Sequence, residues 1–167
     1  MTVVVASLIA VAGTLLGSFS TYWFQQQVAQ RAEVATRRER LRESRLVACS
    51  EFAAAVTDLR RGELAVWFRR GRKDRATEDK DRAVAEYHAA QAEADRLGAV
   101  ALGAKFRLLL LLDDRGLREL ADDAFRQIGL LPSAGDKAEL EALDARFEAH
   151  MASFTTTAAS LLTVDHQ

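Results

Sequence analysis

Apolar and polar positions divide the chain into one uninterrupted apolar stretch followed by a series of helical stripes. No charged residue precedes Arg31, and Val3 to Phe24 form 22 residues that are almost wholly apolar or small. Wound as a helix, such a stretch is about 33 Å long and matches a hydrocarbon core of about 30 Å. It predicts a transmembrane anchor over residues 1–24, with Tyr22, Trp23 and Phe24 as membrane-interface anchors at the headgroup level. The competing reading is a cleaved signal peptide. It is opposed by the lack of a basic leading region, by the length of the run, and by the mid-run position of Ala10-Val11-Ala12. Ala6, Ala10, Gly13 and Gly17 recur at steps of four, three and four and share one helix face. Small residues at this spacing let two helix backbones approach in lipid, so they form a candidate transmembrane contact face for a homo-oligomer. The bland alternative is the ordinary glycine content of membrane helices.

Residues 25–40 contain no helix breaker and predict a juxtamembrane helical connector, with Glu33 one turn ahead of Arg37. From Leu41 an apolar stripe follows through Ala48, Phe52, Ala55, Leu59, Gly62 and Val66, interrupted only by Arg45. This helix is expected to end near Arg70, with Gly71 in a left-handed position beyond it. A second helix is expected after Thr77 as N-cap. Its stripe of Ala83, Tyr87, Ala90, Ala94, Leu97, Ala101, Ala104, Leu108 and Leu111 alternates steps of four and three, the seam of an antiparallel partner helix. The run Leu108–Leu112 is compatible with a buried strand or a helix, and leucine without a partner strand favours helix. Asp113 or Asp114 then caps a third helix (Leu117, Leu120, Ala121, Ala124, Ile128) that stops at Gly129–Pro132. Asp136, with Glu139 three residues on, starts a fourth (Leu140, Leu143, Phe147, Met151, Phe154, Ala158, Leu161), and the last six residues of the chain are expected to fray. The predicted fold is all-α. An N-terminal transmembrane helix continues into a long helix, followed by a cytoplasmic bundle of about four helices over residues 41–163 and a disordered tail, 164–167.

Composition supports helix over strand: 31 Ala and 22 Leu stand against 14 Val plus Ile. One Cys excludes an internal disulfide, and three His with that Cys exclude the usual zinc-finger ligand sets. Between Arg31 and Arg45 six Arg accompany three Glu. Basic flanks stay inside, so the expected location is the cell membrane, single-pass, N-terminus outside and C-terminal domain cytoplasmic.

The net charge of −1 is unevenly placed: +6 over residues 31–75 and −7 over residues 76–167. The simplest reading is electrostatic complementarity between the first long helix and the rest of the bundle. A sharper one makes Arg60, Arg61, Trp67, Arg69, Arg70, Arg72, Lys73 and Arg75 a patch for an anionic partner, either nucleic acid or an acidic protein. No catalytic constellation is visible. His88, His150 and His166 lack partners at metal-ligand spacing, and Asp113-Asp114 and Asp122-Asp123 read as a cap and a solvated face. Cys49 lies on an apolar stripe as a small buried thiol. No glycine-rich phosphate loop or nucleophile elbow occurs. The reading is therefore a non-enzyme with no catalytic, metal or cofactor residues. It is a membrane-anchored interaction scaffold whose partners are the bilayer, a second copy and another protein.

Several segments resemble an uncharacterised set of single-pass membrane proteins from high-GC actinobacteria such as streptomycetes. They are Gly13-Thr14-Leu15-Leu16-Gly17, Thr21 to Gln25, the Arg/Glu run, Phe52 with Thr57 to Arg61, and Leu109–Asp114 followed by Leu120–Phe125. The 19 Arg against four Lys fit such a genome. The resemblance implies a lineage and a membrane location, without an activity. An anchor leading into a charged helix is also similar to the peripheral stalk subunit of a rotary ATP synthase. That subunit resembles one continuous helix, whereas this chain has breaks near Gly71, Asp113 and Pro132.

Overall fold

The computed structural model describes the backbone of residues 2–164 and the side chains of residues 33–34 and 36–163. The order of elements is α1 (Thr2–Arg75), α2 (Lys80–Leu111), α3 (Arg115–Leu130), a 3-10 turn (Leu131–Ser133) and α4 (Lys137–Val164). The chain divides into two compact units, Met1–Leu41 and Arg42–Gln167. Among the described residues no helix is long and apolar enough to cross a membrane. The stretch Val3–Phe24, with its face of Ala6, Ala10, Gly13 and Gly17 and its anchors Tyr22, Trp23 and Phe24, lies outside the residues whose side chains are described, as does the tail 165–167.

The second unit is built on an antiparallel pairing of α1 and α2 in a constant register. A Cβ at Gly62 would meet Leu97 Cδ1 at 2.9 Å and Ala94 Cα at 3.4 Å, so the backbones touch where α1 carries no side chain. Toward one end Arg69 pairs with Glu86, and Lys73 Nζ lies 4.3 Å from the centre of the Tyr87 ring. Toward the other, Arg107 pairs with Glu51 at 2.7 Å. Ala83, Ala94, Ala101 and Leu108 on the α2 stripe are buried. Alanine at these positions permits the close approach that bulkier side chains would prevent.

α3 is amphipathic and buries Leu117, Ala121, Ala124 and Ile128. Asp114 is its N-cap, accepting from Leu117 N at 2.7 Å. Asp136 accepts from Glu139 N at 2.8 Å, and the Glu139 carboxylate reaches back to Gly135 N at 2.8 Å, so α4 starts with reciprocal capping. α4 runs antiparallel to α1: the Phe52 and Phe154 rings pack at 5.0 Å between centroids, and Arg60 engages Asp144. Phe52, Phe154, Leu108, Leu117, Ile128 and Leu131 are the large side chains at the centre of one core.

Four expectations change. The first helix runs through Gly71 to Arg75, and no glycine has positive φ among the described residues. The last turn is held by side chains that α2 supplies, since Arg72 pairs with Glu86 and Lys73 stacks on Tyr87. The N-cap position of α2 is consequently Asp79, not Thr77. Leu41, the first residue of the expected stripe, is exposed. At the C-terminal end α4 extends to Val164 with Leu162 buried, so packing holds the turn expected to fray. Leu108–Leu111 are helical and Leu112 turns extended, which settles the strand alternative.

Candidate functional site

The basic corner sits where the end of α1 meets the start of α2 and the turn between α3 and α4. Its cations face groups of the bundle itself. Arg60 engages both carboxylate oxygens of Asp144 and reaches Glu148 at 3.0 Å, joining α1 to α4. The hydrogen bond to Asp144 raises the Arg60 pKa further above its usual value. Trp67 Nε1 donates to Ala134 O at 2.8 Å. Arg70 donates to Pro132 O and Ala134 O, covering carbonyls that the short 3-10 turn leaves without helical partners. Arg69, Arg72 and Arg82 converge on Glu86. The hydrogen bond from Arg82 and the charges of Arg72 and Arg69 hold that carboxyl below the usual range. Arg61 pairs with Asp58 on its own helix at 3.1 Å, and Arg75 lies exposed beside Gly71.

Trp67, Arg69, Arg70, Arg72 and Lys73 are thus gathered at one end of the bundle, whereas Arg60 lies two turns earlier in α1, against α4. Arg60 is directed to α4, Trp67 and Arg70 to the turn, and Arg69, Arg72 and Lys73 to α2. The positive excess of α1 meets the negative excess of later helices through these contacts. Glu63 differs in sign: burial and the facing Asp95 push its carboxyl up. Cys49 is a buried thiol, and burial raises its pKa as well, which lowers the thiolate fraction. His150 Nδ1 donates to Arg146 O at 2.7 Å, and its Nε2 is 3.9 Å from Asp123. His88 lies against Tyr87, and His166 is outside the described residues. Among the described residues no group of three His, Cys, Asp or Glu is placed to hold a metal.

Two features escaped the sequence reading. Arg45, the polar interruption of the α1 stripe, donates from Nε to Leu111 O at 3.1 Å and so reaches one of the last carbonyls of α2. Its signal was its position: an arginine on a buried stripe needs an acceptor. The second is the outer face of α2, where Phe106 is 56% and Leu110 86% exposed. Its signal was a second series of steps of four and three, offset from the buried one.

A profile described as KilB plasmid transfer protein matches residues 46–162, more than half of the chain. The chain belongs to this family. The KilB match starts in α1 just after Arg45 and ends at Leu162 in α4, so it covers the helical bundle almost from end to end. It gives the bundle a more definite relative than the looser likeness to actinobacterial membrane proteins, and it carries neither that lineage nor a membrane location. Comparison with curated proteins finds no match, and comparison with solved structures finds none.

Proposed function

We infer that the protein serves plasmid transfer as a non-catalytic, membrane-anchored helical scaffold that self-associates and holds a protein partner at the membrane. The observation that carries this reading is the KilB match over residues 46–162 of the bundle. The apolar segment Val3–Phe24 supports the anchor, and the six Arg between Arg31 and Arg45 support a bundle on the cytoplasmic side. The alternative is capture of nucleic acid or an acidic partner through Arg60–Arg75. It competes with the carboxylates and carbonyls that already engage Arg60, Arg69, Arg70 and Arg72, which favours the scaffold.

The test is plasmid transfer between cells with the gene deleted and restored. Deletion should lower transfer, and the intact chain should restore it. A chain with Val11 and Leu15 both changed to Arg, which interrupts the apolar run, should not. Transfer that is unchanged by deletion overturns the function. Full rescue by the interrupted segment overturns the anchor. A reporter active only outside the cytoplasm, fused after Gln167, should stay silent, and activity from it reverses the orientation. Steep loss of DNA or heparin retention with rising salt would instead support the alternative.

A further inference from the structure

We propose that the outer face of α2 is the surface on which two copies of this chain pair, antiparallel, helix against helix. This deepens the self-association in the scaffold reading and rests on it. Its starting point is an apolar surface with no covering element among the described residues. Val100, Leu102, Phe106 and Leu110 are 52%, 40%, 56% and 86% exposed. They accompany a full second seam: Ala85, Ala89, Ala92, Arg96, Ala99, Gly103, Phe106 and Leu110, at steps of four and three, every one exposed. This is the heptad cadence of a helix with a partner. The other such seam of α2 is already used inside the bundle, so this one faces away from it.

The seam also specifies direction. Its N-terminal half is small (Ala85, Ala89, Ala92) and its C-terminal half is large (Phe106, Leu110). Parallel pairing would set large against large and alanine against alanine. Antiparallel pairing sets the large Leu110 against the small end of the other copy's seam, and an isologous contact repeats that match twice. One register also satisfies charge. With Ala99 of one copy opposite Gly103 of the other, Ala92 falls opposite Leu110 and Arg96 falls opposite the Phe106 ring, a cation over an aromatic face. A Cβ at Gly103 would meet nothing within 4 Å in its own chain, so the crossing point is open for close approach. Flanking this core, Leu102 meets its own copy on one side. On the other, Val100 meets its own copy and Arg107 meets Glu93, twice by symmetry. Shifting by one heptad in one direction leaves Glu93 opposite a position beyond Leu111, where α2 has ended. In the other direction Arg107 meets Glu86, which three arginines of its own chain already engage, whereas Glu93 is engaged by Arg96 alone.

The experiment uses the full chain in membranes and in mild detergent, in a Cys49→Ala background, with a short bismaleimide crosslinker. Leu102→Cys should crosslink to its own copy. Leu109→Cys should not, because in this register it lies fourteen residues, about 21 Å, from its own copy. Phe106→Glu and Leu110→Glu should each reduce the Leu102→Cys crosslink at least tenfold while leaving far-UV circular dichroism unchanged. Glu93→Arg and Arg107→Glu should each weaken it several-fold, and the double exchange should restore at least half. Within one chain these two residues are about 21 Å apart along α2, so restoration reports a contact between copies. Glu51→Gln, which removes the internal partner of Arg107, should leave the crosslink as it was. Equal crosslinking at positions 102 and 109, or no rescue by the double exchange, overturns the register. An oligomer that survives Phe106→Glu and Leu110→Glu overturns this surface and leaves self-association standing, whereas a full chain that is monomeric throughout overturns both.

Discussion

Gly62 and Gly98 face each other's helices in the α1–α2 pairing, and the same substitution at the two positions should act with opposite sign. Each sits inside an α-helix, where Gly→Ala contributes about 0.8–1 kcal/mol from backbone propensity. At Gly98 the added Cβ lies 3.8 Å from Leu59 Cδ1, an ordinary contact, so Gly98→Ala should stabilise by most of that amount, about 0.5–1 kcal/mol. At Gly62 it lies 2.9 Å from Leu97 Cδ1 and 3.4 Å from Ala94 Cα. The half-exposed Leu97 tip can rotate away, but the Ala94 backbone moves only if the helices part. Overpacking of this kind costs about 1–3 kcal/mol, which outweighs the propensity gain and leaves Gly62→Ala destabilised by about 1 kcal/mol. The two variants should therefore differ by about 2 kcal/mol, or about 1 M in urea midpoint for a slope near 2 kcal/mol/M. Urea unfolding of the full chain in detergent, followed by circular dichroism, measures it. In a double-mutant cycle, Leu97→Ala should reduce the cost of Gly62→Ala, because it removes the nearer obstacle. If Gly62→Ala stabilises as much as Gly98→Ala, the close approach of α1 and α2 at this point is wrong.

Arg60→Met should cost about 2 kcal/mol by leaving Asp144 half-buried without its cation, and Arg60→Met with Asp144→Leu should recover most of it; urea midpoints of the four chains decide. Glu63→Gln should stabilise at neutral pH: a raised folded-state pKa means the ionised carboxylate disfavours the fold, the penalty appears as pH rises through that pKa, and it vanishes below the unfolded one. A gain from Glu63→Gln that stays constant down to acid pH would contradict that origin. Asp114→Ala and Asp136→Ala should each cost about 1 kcal/mol through a lost N-cap bond, and a neutral effect on thermal midpoint would remove the capping assignment. Trp67→Phe should cost about 1 kcal/mol by removing the indole donor from Ala134 O, with Trp67→Leu costing more through lost packing.

The stripes of α2, α3 and α4 were readable from the chain because a 3.6-residue period needs only local order: Ala83 to Leu111, Leu117 to Ile128 and Leu140 to Leu161 lie on the faces their spacing assigns. The caps Asp114 and Asp136 were readable for the same reason, being defined within one turn. Where α1 ends was not. Gly71 permits a stop, and only Glu86 and Tyr87, reached across the pairing, continue the helix to Arg75. The split of charge and its use within the bundle were visible in the sequence, but the individual partners were not. The tertiary structure decided that Arg60 meets Asp144, 84 residues away, that Arg70 covers the carbonyls of the 3-10 turn, and that Arg45 reaches the end of α2. It also decided that the outer seam of α2 has no covering element among the described residues. Both seams have the same cadence, and the inner one stood out in the sequence because it carries no charged residue and no glycine. The inner one is taken by α1 because Gly62 leaves room for its backbone there, and the outer one, with Phe106 and Leu110, is left to solvent or to a second chain.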